Sequence, residues 1–303
     1  MSSGSFAISS TRLSSNFLAW YFVIIWGSGF LATKAGIQYA APFTFLSLRF
    51  MVGLLCLAPI MLIAKPRWPT GTNEWLHVIV AGLLMHAIHL SGSHYAQYLG
   101  MSAGVTAIIL ATQTLLTALF AAVWMSEKPS RLQWAGIAIG LCGVAMVVWH
   151  KIDIAAITYG SLIAVGTGLL ALTSGTLYQR KFCAHADLRS SAFIQFSASL
   201  LLVAPFSIAF EGAAIEWTWQ LLAAVFFLVI FASIFAVNAL HTLMRRGAAT
   251  RVTSMLYLPP VVAMVLEWLL FGVTPTALTI IGVIVVCLGV SLAVRTPTIA
   301  ASQ

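Results

Sequence analysis

An all-α integral membrane protein of ten transmembrane helices, arranged as two five-helix inverted-topology repeats, is predicted by three observations. Hydrophobic residues make up 61% of the 303 positions and charged ones only 7%, with a mean hydropathy of +1.00, whereas soluble domains carry roughly 25% charged residues. Ten apolar runs are each long enough to cross the roughly 30 Å of hydrocarbon in a bilayer, which takes about 17 to 25 helical residues. Shifting the chain by 146 positions aligns Ala103 with Ala249, Leu110 with Leu256, Pro129 with Pro275, Gly136 with Gly282 and Gly143 with Gly289. The runs thus form two sets of five, and because five is odd the sets must enter the membrane from opposite sides.

Residues 1–16 are Ser-rich with a lone Arg12 and lack the basic start and cleavage site of a signal peptide, so a short disordered cytoplasmic tail is expected there. The first repeat spans 17–149, with runs at 17–37, 43–63, 76–98, 103–125 and 132–149. Trp26 and Lys34 lie in the first run, and Arg49 lies about two turns into the second. The third is taken up below. The fourth carries Thr106, Gln113 and Thr117 on one face, and Gly136, Gly140 and Gly143 on the fifth permit close helix packing. The second repeat spans 158–294, with runs at 158–179, 190–210, 219–242, 252–272 and 276–294, and 295–303 form a cytoplasmic C-terminal tail. Thr167, Ala171, Ser174 and Tyr178 share a face of the sixth run, Asn238, His241 and Arg245 of the eighth, and Thr253, Tyr257, Pro260, Met264 and Glu267 of the ninth. Pro259-Pro260 removes two backbone donors mid-run, which predicts a kink.

The distribution of charge orients the chain. Twelve Lys and Arg fall on one side of the runs, Lys151 alone on the other, and Lys34 and Arg49 within runs; short cytoplasmic loops are enriched in both residues, so both termini are expected in the cytoplasm. The net charge of +8 does not imply a nucleic-acid partner, because these cations are spread between apolar runs and not gathered on one face. Cys56, Cys142, Cys183 and Cys287 have no metal-ligand spacing, and neither a metal nor a cofactor is expected. Phosphate-cradling motifs are missing, so ATP is not expected as a partner, and HExxH, GxSxG and a carboxylate pair are missing too, so the chain does not read as an enzyme.

The run at 76–98 differs from the others. On a helix, Gly82, His86, His89, Ser93 and Gln97 fall within about 80° of one another. Such a stripe cannot face hydrocarbon, where each unpaired polar group costs several kcal/mol, so it faces other helices or an aqueous cavity. Candidate cavity residues are Trp26, His86, His89, Ser93, Gln113, Ser174, Tyr178, Asn238, His241 and Tyr257. Lys34, Arg49 and Glu267 are intramembrane charges, and Glu267, the only acid inside a run, is the candidate for proton coupling.

Trp26-Gly27-Ser28 in the first run, Pro42 before the second, Leu48-Arg49-Phe50 within it and Glu127 at the close of the fourth resemble the EamA family of drug/metabolite transporters, over about residues 17–294. Val273 stands where the repeat places the counterpart of Glu127. The resemblance, closer to the bacterial aromatic amino acid exporters of that family, implies a ten-helix inner-membrane exporter with a central cavity, with the fifth and tenth helices packed to the side. A zwitterion needs partners for a carboxylate and an ammonium, and an aromatic one also needs ring surfaces. The candidates offer both, so the expected cargo is a neutral or aromatic amino acid within the class of small amphipathic metabolites. A drug or cation exporter on the same scaffold, and a membrane-embedded enzyme acting on a lipid, are the alternatives.

Overall fold

The computed structural model of the chain describes residues 4–124, 129–153, 157–236 and 258–294. Within them the backbone forms helices α1 (Gly4–Gly36), α2 (Pro42–Ala64), α3 (Thr72–Tyr98), α4 (Ala103–Trp124), α5 (Arg131–Asp153), α6 (Tyr159–Phe182), α7 (Leu188–Glu211), α8 (Trp219–Phe235), α9 (Pro259–Phe271) and α10 (Ala277–Val294). Seven helices, α1 to α7, are long and apolar enough to cross a membrane, and α8 to α10 are shorter apolar helices. No strand forms among the described residues; a single antiparallel bridge joins Ala40 to Ile215.

Local chemistry sets the helix ends. Pro42 opens α2 in the first turn, where a missing N–H is not needed. Thr158 and Ser161 form a reciprocal capping box on α6, and the Thr218 and Asp187 side chains accept from the first-turn amides of α8 and α7. Gly212 (φ 63°) and Gly272 (φ 66°) end α7 and α9 in the left-handed conformation that glycine adopts without a Cβ penalty.

Successive helices run in alternating directions, and the loops collect at two ends. At one, Ala40 meets Ile215, Glu211 accepts from the amides of Phe43 (3.0 Å) and Thr44 (2.7 Å), and Glu267 accepts from those of Ala103 and Gly104. At the other, the Ser190 hydroxyl donates to the Arg67 carbonyl (2.7 Å) and Lys181 lies over the Trp124 ring. These are the groupings that the charge pattern anticipates.

Helix packing obeys a two-fold relation between the two sets of five. Helix α2 packs on α7, α4 on α9 and α5 on α10, each pair mapping onto itself when the sets are exchanged. Contacts of α3 with α6 recur as those of α8 with α1, and contacts of α1 with α9 recur as those of α6 with α4. The α5–α10 crossing is backbone on backbone: a Cβ on Gly143 would lie 2.8 Å from the Val286 amide nitrogen, and Gly136 and Gly140 meet Gly289 in the same way. These two helices stand at the flank, attached through α4, where Val105, Ile108, Leu115, Val147, Val286 and Val290 form the main apolar core. Outward-facing Leu62, Ile63, Leu201, Ile208 and Phe210 are exposed, as a hydrocarbon-facing surface requires.

One expectation is corrected. The backbone of 4–16 continues α1, so it is helical and not a disordered tail; from Ser5 to Phe17 there is no Gly or Pro to stop a helix growing out of the membrane run. Pro259 and Pro260 stand in the first turn of α9 as described, with Val261 and Val262 donating back to the Leu258 carbonyl, and the kink expected at these prolines involves 252–257, which lie outside the described residues.

Candidate functional site

The polar face of α3 is the natural starting point, and its backbone is irregular there. Leu83–Ile88 is a π-helical segment that contains His86. A π segment widens the turn and releases carbonyls from the regular ladder, and such segments concentrate at functional sites. Helix α8 is π-helical over Phe227–Phe235, and the 146-residue shift carries Leu83–Ile88 onto 229–234, inside that segment. Both repeats are therefore distorted at the same place.

Two histidines of the polar stripe find partners on neighbouring helices. His86 Nε2 faces Gln195 Oε1 of α7 at 3.2 Å, and its ring stands edge-on to Phe196 at 5.1 Å. His89 Nδ1 donates to the Gly168 carbonyl of α6 at 3.1 Å. Gly168 is what lets α6 come this close, since a Cβ there would sit 2.8 Å from the His89 carbonyl oxygen. Ser93 is buried at the same crossing, and neither polar atom of the buried Gln97 side chain has a partner. His94, absent from the candidates, lies 3.5 Å from the Thr33 hydroxyl of α1.

Arg49 of α2 enters this region from the other side. Its guanidinium donates to Ser233 Oγ of the α8 π segment at 3.3 Å, its one hydrogen bond among the described residues. Rings of Phe50 and Phe196, the next residues after Arg49 and Gln195, pack at 5.6 Å. The pairs Arg49–Ser233 and Gln195–His86 are images of one another in the repeat: the shift carries Arg49 onto Gln195, and His86 to within one residue of Ser233. Sequence reasoning missed Gln195 and Ser233 because each looks ordinary alone; the shift applied to Arg49 would have found the first.

Other candidates lie elsewhere. Gln113 donates to Thr176 of α6 at 3.1 Å, just after Thr112 interrupts α4. Ser174 is half-buried on α6. Tyr178 lies towards the Lys181 end of α6, its hydroxyl 2.8 Å from His77 Nδ1, in a cluster with Phe182 and Trp124. Trp26 is 42% exposed and packs on Phe22, while its neighbour Gly27 admits the Pro259 carbonyl, which would lie 2.7 Å from a Cβ there. Lys34 and Glu267 form an ion pair (2.6 Å) at the end of the molecule, and Glu267 also accepts from the α4 amides of Ala103 (2.9 Å) and Gly104 (2.8 Å). Asn238, His241 and Tyr257 lie outside the described residues.

A groove of about 290 Å³ between α2, α3, α6 and α7 is lined by Phe43, Ile88, Tyr95, Thr167, Leu202 and Phe206 among others. It lies on the opposite face of α3 from the histidines, and none of the candidate residues lines it. Among the described residues no cluster of three His, Cys, Asp or Glu could hold a metal ion.

The model of a family described as the EamA-like transporter family matches residues 13–149 and again 158–295. An Escherichia coli protein named as an uncharacterized inner membrane transporter, YedA, is 27% identical over 270 residues, covering 85% of this chain and 87% of that one. A Salmonella typhimurium protein named as a probable amino-acid metabolite efflux pump is 24% identical over 282 residues, covering 90% and 92%. A crystal structure superposes with a TM-score of 0.65 at 20% identity, over 93% of this chain and 97% of its own, a likeness of fold.

Proposed function

Because the chain belongs to the EamA-like transporter family, and is therefore a membrane transporter, we propose that it exports small amphipathic metabolites, foremost neutral and aromatic amino acids, across a bacterial inner membrane. The first repeat is assigned to 17–149 and the second to 158–294, each crossing five times in opposite senses, with both termini cytoplasmic. Alternating access is supported by the two-fold packing, since rocking one repeat against the other would expose the region between them to each side in turn.

The observation that carries this reading is the pair of repeat-related contacts, Arg49–Ser233 and Gln195–His86, set where both repeats are π-helical. Donors and acceptors concentrate there in an otherwise apolar bundle. Cargo as a neutral amino acid is supported by this mixed inventory and by the relative named as a probable amino-acid metabolite efflux pump. A cationic cargo is disfavoured, because Glu267, the one acid within the apolar runs of the sequence, is already bound to Lys34.

Efflux from proteoliposomes preloaded with labelled phenylalanine, without ATP, tests the proposal. Wild-type protein should release it faster than empty liposomes. Alanine at His86 or His89 should lower the rate several-fold with detergent stability near wild type. Wild-type rates in both variants would remove the histidines from the site.

A further inference from the structure

Among the described residues Arg49 lacks a counter-charge, and the placement of the chain's acids explains why. The chain has seven acidic residues. Glu267 is held by Lys34 and the α4 amides, Glu211 caps α2, Glu74 accepts from Thr70, and Asp187 caps α7. Glu216 belongs to the α7–α8 connection, where its amide donates to the Tyr39 carbonyl. Glu127 and Asp153 flank α5 in sequence, in the α4–α5 connection and at the last residue of that helix. The undescribed stretch 237–257 contains neither Asp nor Glu. A guanidinium about two turns inside a membrane helix without an anion is expensive, and such residues mark functional sites.

Its surroundings are arranged for an incoming acceptor. Ser233 Oγ donates to the Leu228 carbonyl at 2.8 Å, which leaves it an acceptor towards Arg49 and leaves the remaining guanidinium donors unused among the described residues. Gln195 is 5% exposed, its Oε1 faces His86, and its Nε2 has no partner among the described residues. A guanidinium fork and an amide N–H₂ without a partner among the described residues, each one residue before the Phe50–Phe196 ring contact between α2 and α7, match the two oxygens of one carboxylate.

We propose that Arg49, assisted by Gln195, is the anchor for the carboxylate of the transported molecule, so that cargo is selected as a small monocarboxylate. This rests on the export reading above. A single cation balances one carboxylate and leaves a phosphate dianion half-neutralised.

The test uses full-length protein in proteoliposomes and four probes of similar size: phenylalanine, 3-phenylpropionate, phenylalaninamide and phenethylamine. Wild-type protein should move the two carboxylates and neither of the others. Arg49→Gln should slow both carboxylates at least ten-fold. Arg49→Lys, which keeps the charge but loses the fork, should raise KM with a smaller effect on kcat, and it carries the test if the Gln variant does not fold. Carboxylate transport at wild-type rate and KM in these variants overturns the anchor, as does a wild-type preference for the amide or amine. Transport of 3-phenylpropionate without phenylalanine, lost in Arg49→Gln, keeps the anchor and overturns the amino-acid reading. Transport of none of the four overturns both.

Discussion

Glu267 illustrates how a residue's meaning depends on its partners. As the only acid inside an apolar run it is the obvious proton carrier, yet it is 3% exposed, 2.6 Å from Lys34 and bonded to two amides at the start of α4. A carboxylate there offsets the positive end of the helix dipole and satisfies orphaned donors, which is a structural duty. Glu267→Gln is therefore expected to lower the detergent melting temperature while leaving downhill efflux within about two-fold of wild type. Hydrogen bonds to a charged group are each worth about 1.5 to 3 kcal/mol, and the amide keeps only part of them. Intact stability with abolished downhill efflux would return Glu267 to the transport site. At this scale the charges were legible in the sequence and their pairing was not, because Lys34 and Glu267 are 233 positions apart and only the fold brings them together.

Elements behave differently, since helix positions follow from apolar run length and repeat spacing. The α5 glycines were readable as a packing surface, and the structure adds that the partner surface is built from Gly282 and Gly289, their own images under the shift. Gly289→Ala would press a methyl group on the Gly136 carbonyl and the Gly140 backbone; overpacking of this kind costs about 1 to 3 kcal/mol. Gly166 on α6 has open space where a Cβ would go, and alanine there gains up to about 1 kcal/mol of helix propensity. Thermal unfolding in detergent should therefore show a lower midpoint for Gly289→Ala and an unchanged or higher one for Gly166→Ala; equal behaviour would mean that the α5–α10 crossing is not close-packed. The π segments were not legible. Periodicity assumes 3.6 residues per turn, and the displaced register in α3 turns His86 towards Gln195 without leaving a mark in the hydrophobic pattern.

For the whole molecule, the up-and-down order of helices and the grouping of loops at two ends are structural facts, while which end faces the cytoplasm is argued from charge. Twelve cations stand on one side and Lys151 alone on the other, a bias strong enough to decide the insertion of short loops. Single cysteines placed at exposed loop positions, in a chain whose four native cysteines are replaced, read the orientation directly. Replacing Cys183 matters most, because it sits in a connection at the reporter end, although burial pushes its thiol above the ordinary value and slows its reaction. Gly71→Cys has open space for its side chain, and Ala214→Cys occupies the α7–α8 connection at the opposite end. Gly212 is avoided, since at φ 63° any side chain strains the turn that closes α7. In intact cells an impermeant maleimide should label Ala214→Cys and spare Gly71→Cys, and permeabilisation should expose both. Labelling of Gly71→Cys alone in intact cells would invert the protein, and with it the side on which Lys34 and Glu267 lie, whereas the packing between the two repeats would stand unchanged.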